Sequence, residues 1–92
     1  MAHKVTLDRS NGEFRVHLEG EHFAVVKFQD KDGIYAITST KVPEVLQGKG
    51  YGKVMMEAVL PEIESLGVKI EPICSYVAHY LERNAQWSHL KA

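Results

Sequence analysis

Hydrophobic residues recur at every second position up to Val42 and at every third or fourth position after Pro43. The first stretch therefore reads as strands and the second as helix. Val5-Thr6-Leu7-Asp8 alternates and is followed by Ser10-Asn11-Gly12, where Asn-Gly suits the positive φ values of a tight hairpin. Phe14, Val16 and Leu18 then point one way, while Arg15, His17 and Glu19 point the other. After the turn at Glu19-Gly20-Glu21, Phe23 to Phe28 is almost continuously apolar, the signature of a strand covered on both faces. Asp30-Lys31-Asp32-Gly33 makes another turn, and Ile34 to Val42 supplies a fourth strand. Connections this short predict an antiparallel meander.

Past Pro43, the residues Gly52, Met56, Val59, Ile63 and Leu66 form an apolar stripe down one helix, and Gly67 is a natural stop. Pro61 removes a backbone donor and crowds the turn before it. It predicts a kink near Glu57 to Pro61, an early end, or two shorter helical pieces. Val68 to Ile73 reads as a fifth strand, and a helical crossover would lay it parallel to the fourth. Ser75 is placed to cap a last helix whose apolar side carries Tyr76, Val77, Tyr80 and Leu81. The tail from Asn84 is polar apart from Trp87 and Leu90, and Trp87 is expected to pack it on the sheet. The order ββββαβα describes one α+β domain over residues 1–92, with a mostly antiparallel sheet.

Composition narrows the function classes. With 45% hydrophobic and 25% charged residues, the 92-residue chain has the make-up of a globular domain. A formal net charge of −1 gives no electrostatic case for nucleic acid or an anionic membrane. Basic residues concentrate only at Lys49 and Lys53, enough for a small anion. The single cysteine, Cys74, excludes an intramolecular disulfide and a tetrathiolate site. The histidines at 3, 17, 22, 79 and 89 show no metal-ligand spacing, so no metal is expected. His79 reads as an exposed helix residue, with a place lining the acceptor site beside Tyr80 as the alternative, and His17 and His22 as solvated residues flanking a turn. No apolar run approaches the ~20 residues of a membrane span. The start Met1-Ala2-His3-Lys4 lacks an apolar signal region, so a cytoplasmic location is expected.

The chemistry concentrates in Gln47-Gly48-Lys49-Gly50-Tyr51-Gly52, between a strand and a helix. Glycines let the backbone turn tightly and expose its N–H groups. The helix start behind them adds unpaired amides and the positive end of its dipole, which favours an anion. The nucleoside-triphosphate loop is disfavoured, because Val54 follows Lys53 and Gln stands at 47. The dinucleotide fingerprint fails too, since Lys53 occupies its third glycine.

The pattern that fits is Gln/Arg-x-x-Gly-x-Gly/Ala. Together with Thr40-Lys41-Val42-Pro43, Gly67-Val68-Lys69 and Pro72-Ile73-Cys74-Ser75-Tyr76-Val77, it resembles the GNAT acetyltransferase superfamily, specifically its small single-domain members. The resemblance spans roughly residues 5 to 87 and implies that strands four and five are parallel and splayed, with the pantetheine arm of acetyl-coenzyme A lying between them. It places backbone groups of Thr40, Lys41 and Val42 on that arm. The loop from Gln47 through Gly48, Lys49, Gly50, Tyr51 and Gly52 to Lys53 would take the pyrophosphate.

The resemblance also implies transfer of an acetyl group to an amine of unidentified class, on a small molecule, peptide or protein, with a homodimer possible. It offers Tyr80 as the acid that protonates the leaving thiolate, with a base on the acceptor side, and Cys74 as a nucleophile or thioester-side group. Against these stand ordinary packing for Cys74, a core role for Tyr76 and a plain surface charge for Glu44. Relatives often carry His where this chain has Ser39, and His-Pro where it has Asn84-Ala85. A non-catalytic coenzyme A-binding module and an interaction domain with a vestigial glycine loop are the competing functions.

Overall fold

The computed structural model describes residues 3–92, so the Met1-Ala2 part of the opening segment lies outside it. Its frame is one five-stranded sheet in sequence order, β1 (Val5–Asp8), β2 (Glu13–Glu19), β3 (His22–Lys31), β4 (Ile34–Lys41) and β5 (Lys69–Pro72). The first four strands pair antiparallel, and β5 runs parallel to β4, as the sequence order predicts. The β3–β4 turn is tighter than expected. Pairing continues to Lys31↔Ile34, leaving only Asp32 and Gly33 between the strands, both left-handed at φ 53 and 85. The β1–β2 loop is wider, because Asp8 pairs with Glu13 and its carboxylate accepts from the Asn11 backbone and side-chain amides at 3.1 and 2.8 Å.

Helix α1 (Tyr51–Leu66) covers one face of this sheet. Its buried Met55, Met56, Val59, Leu60 and Ile63 join Phe14, Val16, Val26, Phe28, Ile37 and Ile70 in a single core. Each such side chain stabilises the fold by roughly 1.5–3 kcal/mol. Gly67 ends the helix in a left-handed conformation, φ 73, with its amide bonded to the Glu64 carbonyl. α1 runs unbroken through Pro61, so the expected early end and the two shorter pieces do not occur. Pro61 and Glu57 are both exposed, so the Glu57 carbonyl that loses its partner faces water rather than core.

Strand β3 is covered on one face only, which corrects the two-sided expectation. Ala24, Val26 and Phe28 are buried, but Phe23 is 38% exposed. On the uncovered face Phe23 pairs with His17 across the strands, and the Arg15 guanidinium stands 5.2 Å from the Phe23 ring. His17 is half-buried rather than solvated, its Nε2 bonded to the Gly20 carbonyl at 2.8 Å.

After β5 comes α2 (Ser75–Arg83), capped by Cys74 and not by Ser75, which is its exposed first residue. Val77, Tyr80 and Leu81 are buried, and α2 packs against β4 and β5. The tail forms a 3-10 helix at Ala85–Leu90, with Leu90 buried and Trp87 packed against the core as expected. It then returns to β5, where Lys91 bridges Ile70 and the Ala92 amide bonds to the Ile70 carbonyl at 2.8 Å. No helix among the described residues is long and apolar enough to cross a membrane.

Candidate active site

The sheet opens where β4 parts from β5. Their pairing runs from Ile34↔Lys69 to Ile37↔Pro72, and the Cys74 amide adds a last bond to the Ile37 carbonyl at 2.8 Å. At that level β4 carries an extra residue. Phe28 faces Ile37 while Lys27 faces Ser39, so Thr38 is a bulge. A bulge bends its strand and ends regular pairing. From Thr38 to Lys41 the strand pairs with β3 alone, and its β5-side backbone edge is left for another partner.

Thr40 and Cys74 face each other across this opening, with Oγ1 3.7 Å from Sγ. Lys41 is exposed, and Val42 is half-buried against the core. The Gln47 side-chain amide donates to the Val42 carbonyl at 3.1 Å, tying the glycine loop back to the end of β4. A 3-10 turn at Glu44–Leu46, anchored by buried Leu46, leads into the loop, and Glu44 is exposed.

The glycines do two different jobs. Gly48 and Gly50 are left-handed at φ 85 and 81, a conformation costly for any residue with a Cβ. Gly52 is helical, and a Cβ there would lie 2.6 Å from the Tyr76 hydroxyl oxygen, so the end of that side chain would have to move aside. Gly50 caps α1 without a side-chain cap bond, and the first turn of the helix holds no acidic residue. Amides at a helix start have no intrahelical partner. Among the described residues, no turn hydrogen bond uses the amides of Gly48, Lys49 or Gly50.

Tyr51 offers the loop only its amide. Its hydroxyl donates to the Glu19 carboxylate on β2, which together with desolvation holds the phenol above its ordinary pKa. A cleft of about 400 Å³ lies over the loop, walled by Val42, Gly48, Gly50, Gly52, Lys53 and Tyr76. Lys49 is exposed beside it.

A second cleft of about 430 Å³ adjoins the first and shares Lys53 and Tyr76 with it. Tyr80, His79, Arg83 and Asn84 complete its walls. Burial raises the Tyr80 pKa, and negative charge from Glu57 and from Tyr76 pushes the same way. A phenol keeps its proton at neutral pH, the state a general acid needs, and the raise makes this one a weaker acid than an exposed tyrosine. Tyr76 is also raised by burial, and its ring centroid stands 6.4 Å from that of Tyr80.

Cys74 carries no adjacent histidine, and Ser39 is exposed. Its thiol is nevertheless below the ordinary value. Burial is the largest single influence and raises the pKa, but the Val77 amide, the Thr40 hydroxyl, and the Tyr76 and Thr40 amides together outweigh it. The helical amides lie within electrostatic reach of the sulfur without forming a full cap bond. A cysteine at a helix N-terminus is the arrangement that favours thiolate. The absence of a neighbouring histidine hides this in the sequence, where the signal is Cys74 immediately before a helix. No group of three or more His, Cys, Asp or Glu among the described residues could hold a metal ion.

Comparison with known proteins bears on this geometry. Protein NATD1 from mouse is 29% identical over 83 residues, covering 88% of this chain and 76% of the relative. Protein NATD1 from human shows the same identity and covers 74% of its own length. A solution structure of a GCN5-like protein from Staphylococcus aureus superposes with a TM-score of 0.70 at 21% identity, over 97% of this chain and 87% of that one. Residues 13–90 match the profile of the GCN5-related N-acetyl-transferase family. Its loop, its parted strands and that match agree: this chain belongs to the GCN5-related N-acetyltransferase family.

Proposed function

We propose that this chain transfers the acetyl group of acetyl-coenzyme A to an amine. The observation that carries the reading is the left-handed Gly48-to-Gly50 turn feeding an acid-free helix start, above a cleft that adjoins the one holding Tyr80. The residues fit a pyrophosphate: glycines at 48 and 50 that no Cβ obstructs, free amides, and Lys53 at the rim. The unpaired edge of β4 from Thr38 to Lys41 suits the amide-bearing pantetheine arm. The cosubstrate supplies the acetyl group as an activated thioester.

The chain's own part is proton control and positioning. Tyr80 gives its phenolic proton to the sulfur as the C–S bond breaks and the C–N bond to the acceptor forms. The proton released by the amine passes to a base on the acceptor side, and solvent reprotonates Tyr80. Calorimetry with acetyl-coenzyme A and a thiol-release assay over a panel of amines test this. Absence of binding at millimolar ligand sinks it, and binding without turnover of any amine favours a non-catalytic coenzyme A module.

One observation favours a second route, the lowered Cys74 thiol beside Thr40. There the Cys74 thiolate would take the acetyl group, forming an acetyl-cysteine and releasing coenzyme A, before the amine removes it. An acetyl adduct on Cys74, trapped by acid quench and found by mass spectrometry, distinguishes the two. Direct transfer predicts that no adduct forms and that Cys74→Ala stays active.

A further inference from the structure

We infer that the outer edge of β1, with the groove beside it against α1, docks an extended peptide that adds to the sheet and sets a basic side chain against Glu57 and Glu62. This is a role separate from acetyl transfer, on the far side of α1 from the loop and Tyr80 clefts.

The two edges of the sheet differ. At β5 the tail covers the edge, since Lys91 bridges Ile70 and the Ala92 amide bonds to the Ile70 carbonyl. Among the described residues no strand or bridge lies outside β1. The His17 amide donates to the Lys4 carbonyl at 2.9 Å, and Thr6 pairs with Arg15 two residues on. Hydrogen bonds alternate along an antiparallel strand, so the backbone groups of Val5 and Leu7 point away from β2. An unpaired edge of this kind is a template for one more strand.

Beside it lies a groove of about 450 Å³, the size of a ligand site, lined by Val5, Val54, Ala58 and Pro61 with Glu57 and Glu62. His3 completes the lining, its Nδ1 donating to the His17 carbonyl at 2.8 Å. Val5 and Leu7 turn their half-buried side chains to the core under α1. A strand added outside β1 would turn every second side chain to that same face, and so into the groove.

The groove also has a sign. Glu57 and Glu62 are exposed, and no ion pair among the described residues involves either. No lysine or arginine lines it. Its charge therefore complements a lysine or arginine, whose aliphatic stem suits the apolar floor. The free backbone edge specifies an extended chain, and the two carboxylates specify the charge of one residue in it.

The probe is the capped peptide acetyl-Thr-Val-Thr-Lys-Thr-Val-amide, titrated by NMR and calorimetry into the full chain. Three further probes carry Glu in place of Lys, N-methyl groups along one backbone edge, or N-methyl groups along the other. The expected result is binding of the lysine peptide about ten-fold tighter than its glutamate counterpart, with one of the two N-methylated peptides losing affinity by a similar factor. The Val5 and Leu7 amides should exchange with solvent about ten-fold more slowly once the peptide is bound. A chain carrying both Glu57→Gln and Glu62→Gln, two exposed positions, should keep its fold by circular dichroism and lose the preference for lysine over glutamate.

No binding at millimolar peptide overturns the inference, as does equal affinity for the lysine and glutamate peptides. Undiminished binding of both N-methylated peptides rules out strand addition. Slow exchange at Val5 and Leu7 in the free chain at every concentration shows the chain covering its own edge, and slow exchange that appears with a dimer in sedimentation gives the edge to a second copy. Either result overturns the peptide site.

Discussion

The two halves of β4 behave as different materials. From Ile34 to Ile37 the strand is paired on both sides, and Tyr35, Ala36 and Ile37 are all buried. From Thr38 to Lys41 it keeps one partner, its side chains are exposed or half-buried, and Thr38 bulges at the boundary. The first half stores stability and the second offers unsatisfied backbone. One extra residue marks the boundary between them, where the strand bends and the pairing with β5 ends.

The largest effect should come from the closed half. Ile37→Ala removes a fully buried side chain and should cost about 2–5 kcal/mol, read as a lower urea midpoint at constant slope. Thr40→Ala, in the open half, should cost under about 1 kcal/mol. Equal losses at the two positions would erase the contrast.

Next in size is the chemistry that the open half serves. Tyr80→Phe should lower kcat about a hundred-fold, or roughly 2.7 kcal/mol of barrier, with little change in acetyl-coenzyme A affinity. A variant that turns over at the wild-type rate would remove Tyr80 from the mechanism.

Smaller again is the effect of straining the loop. Gly50→Ala must hold a Cβ at φ 81, at a cost of about 1–2 kcal/mol, so coenzyme A binding should weaken roughly ten-fold in calorimetry. Gly33→Ala, equally left-handed but in the remote β3–β4 turn, should leave the affinity unchanged while lowering stability.

The smallest effect concerns pH. The folded Cys74 thiol lies below its ordinary value, so a larger thiolate fraction is present at neutral pH than in the unfolded chain. Iodoacetamide should therefore label the native thiol with a pH midpoint below that of the denatured protein. Thr40→Val removes a hydroxyl that helps lower it and should move the native midpoint upward.

Much of this molecule is visible in its residue pattern, for physical reasons that also mark where the pattern fails. The period-two runs at Phe14 to Leu18 and the helical stripe at Met56, Val59 and Ile63 report burial directly, so the sheet order and α1 follow from them. The loop glycines were legible because left-handed backbone leaves a compositional trace. The bulge at Thr38 leaves none, since any residue can occupy it. Pro61 suggests an end to α1 that does not occur, because the sequence does not say that Glu57 and Pro61 lie on an exposed face. Likewise Phe23 to Phe28 looks doubly covered, because apolar letters do not say that α2 lies over β4 and β5 instead. The convergence of Lys53, His79 and Arg83 needs the relative placement of two helices, which no local pattern encodes.

Position 52 has a consequence of its own. The Tyr76 phenol occupies the space a methyl group would take on α1, and that phenol is a wall of both clefts. The loop and α2 therefore meet at one small volume, held by the end of a single side chain. A bulkier residue at 52 would displace the ring and alter two compartments at once. Conversely, any swing of the Tyr76 ring changes a wall of both clefts at once.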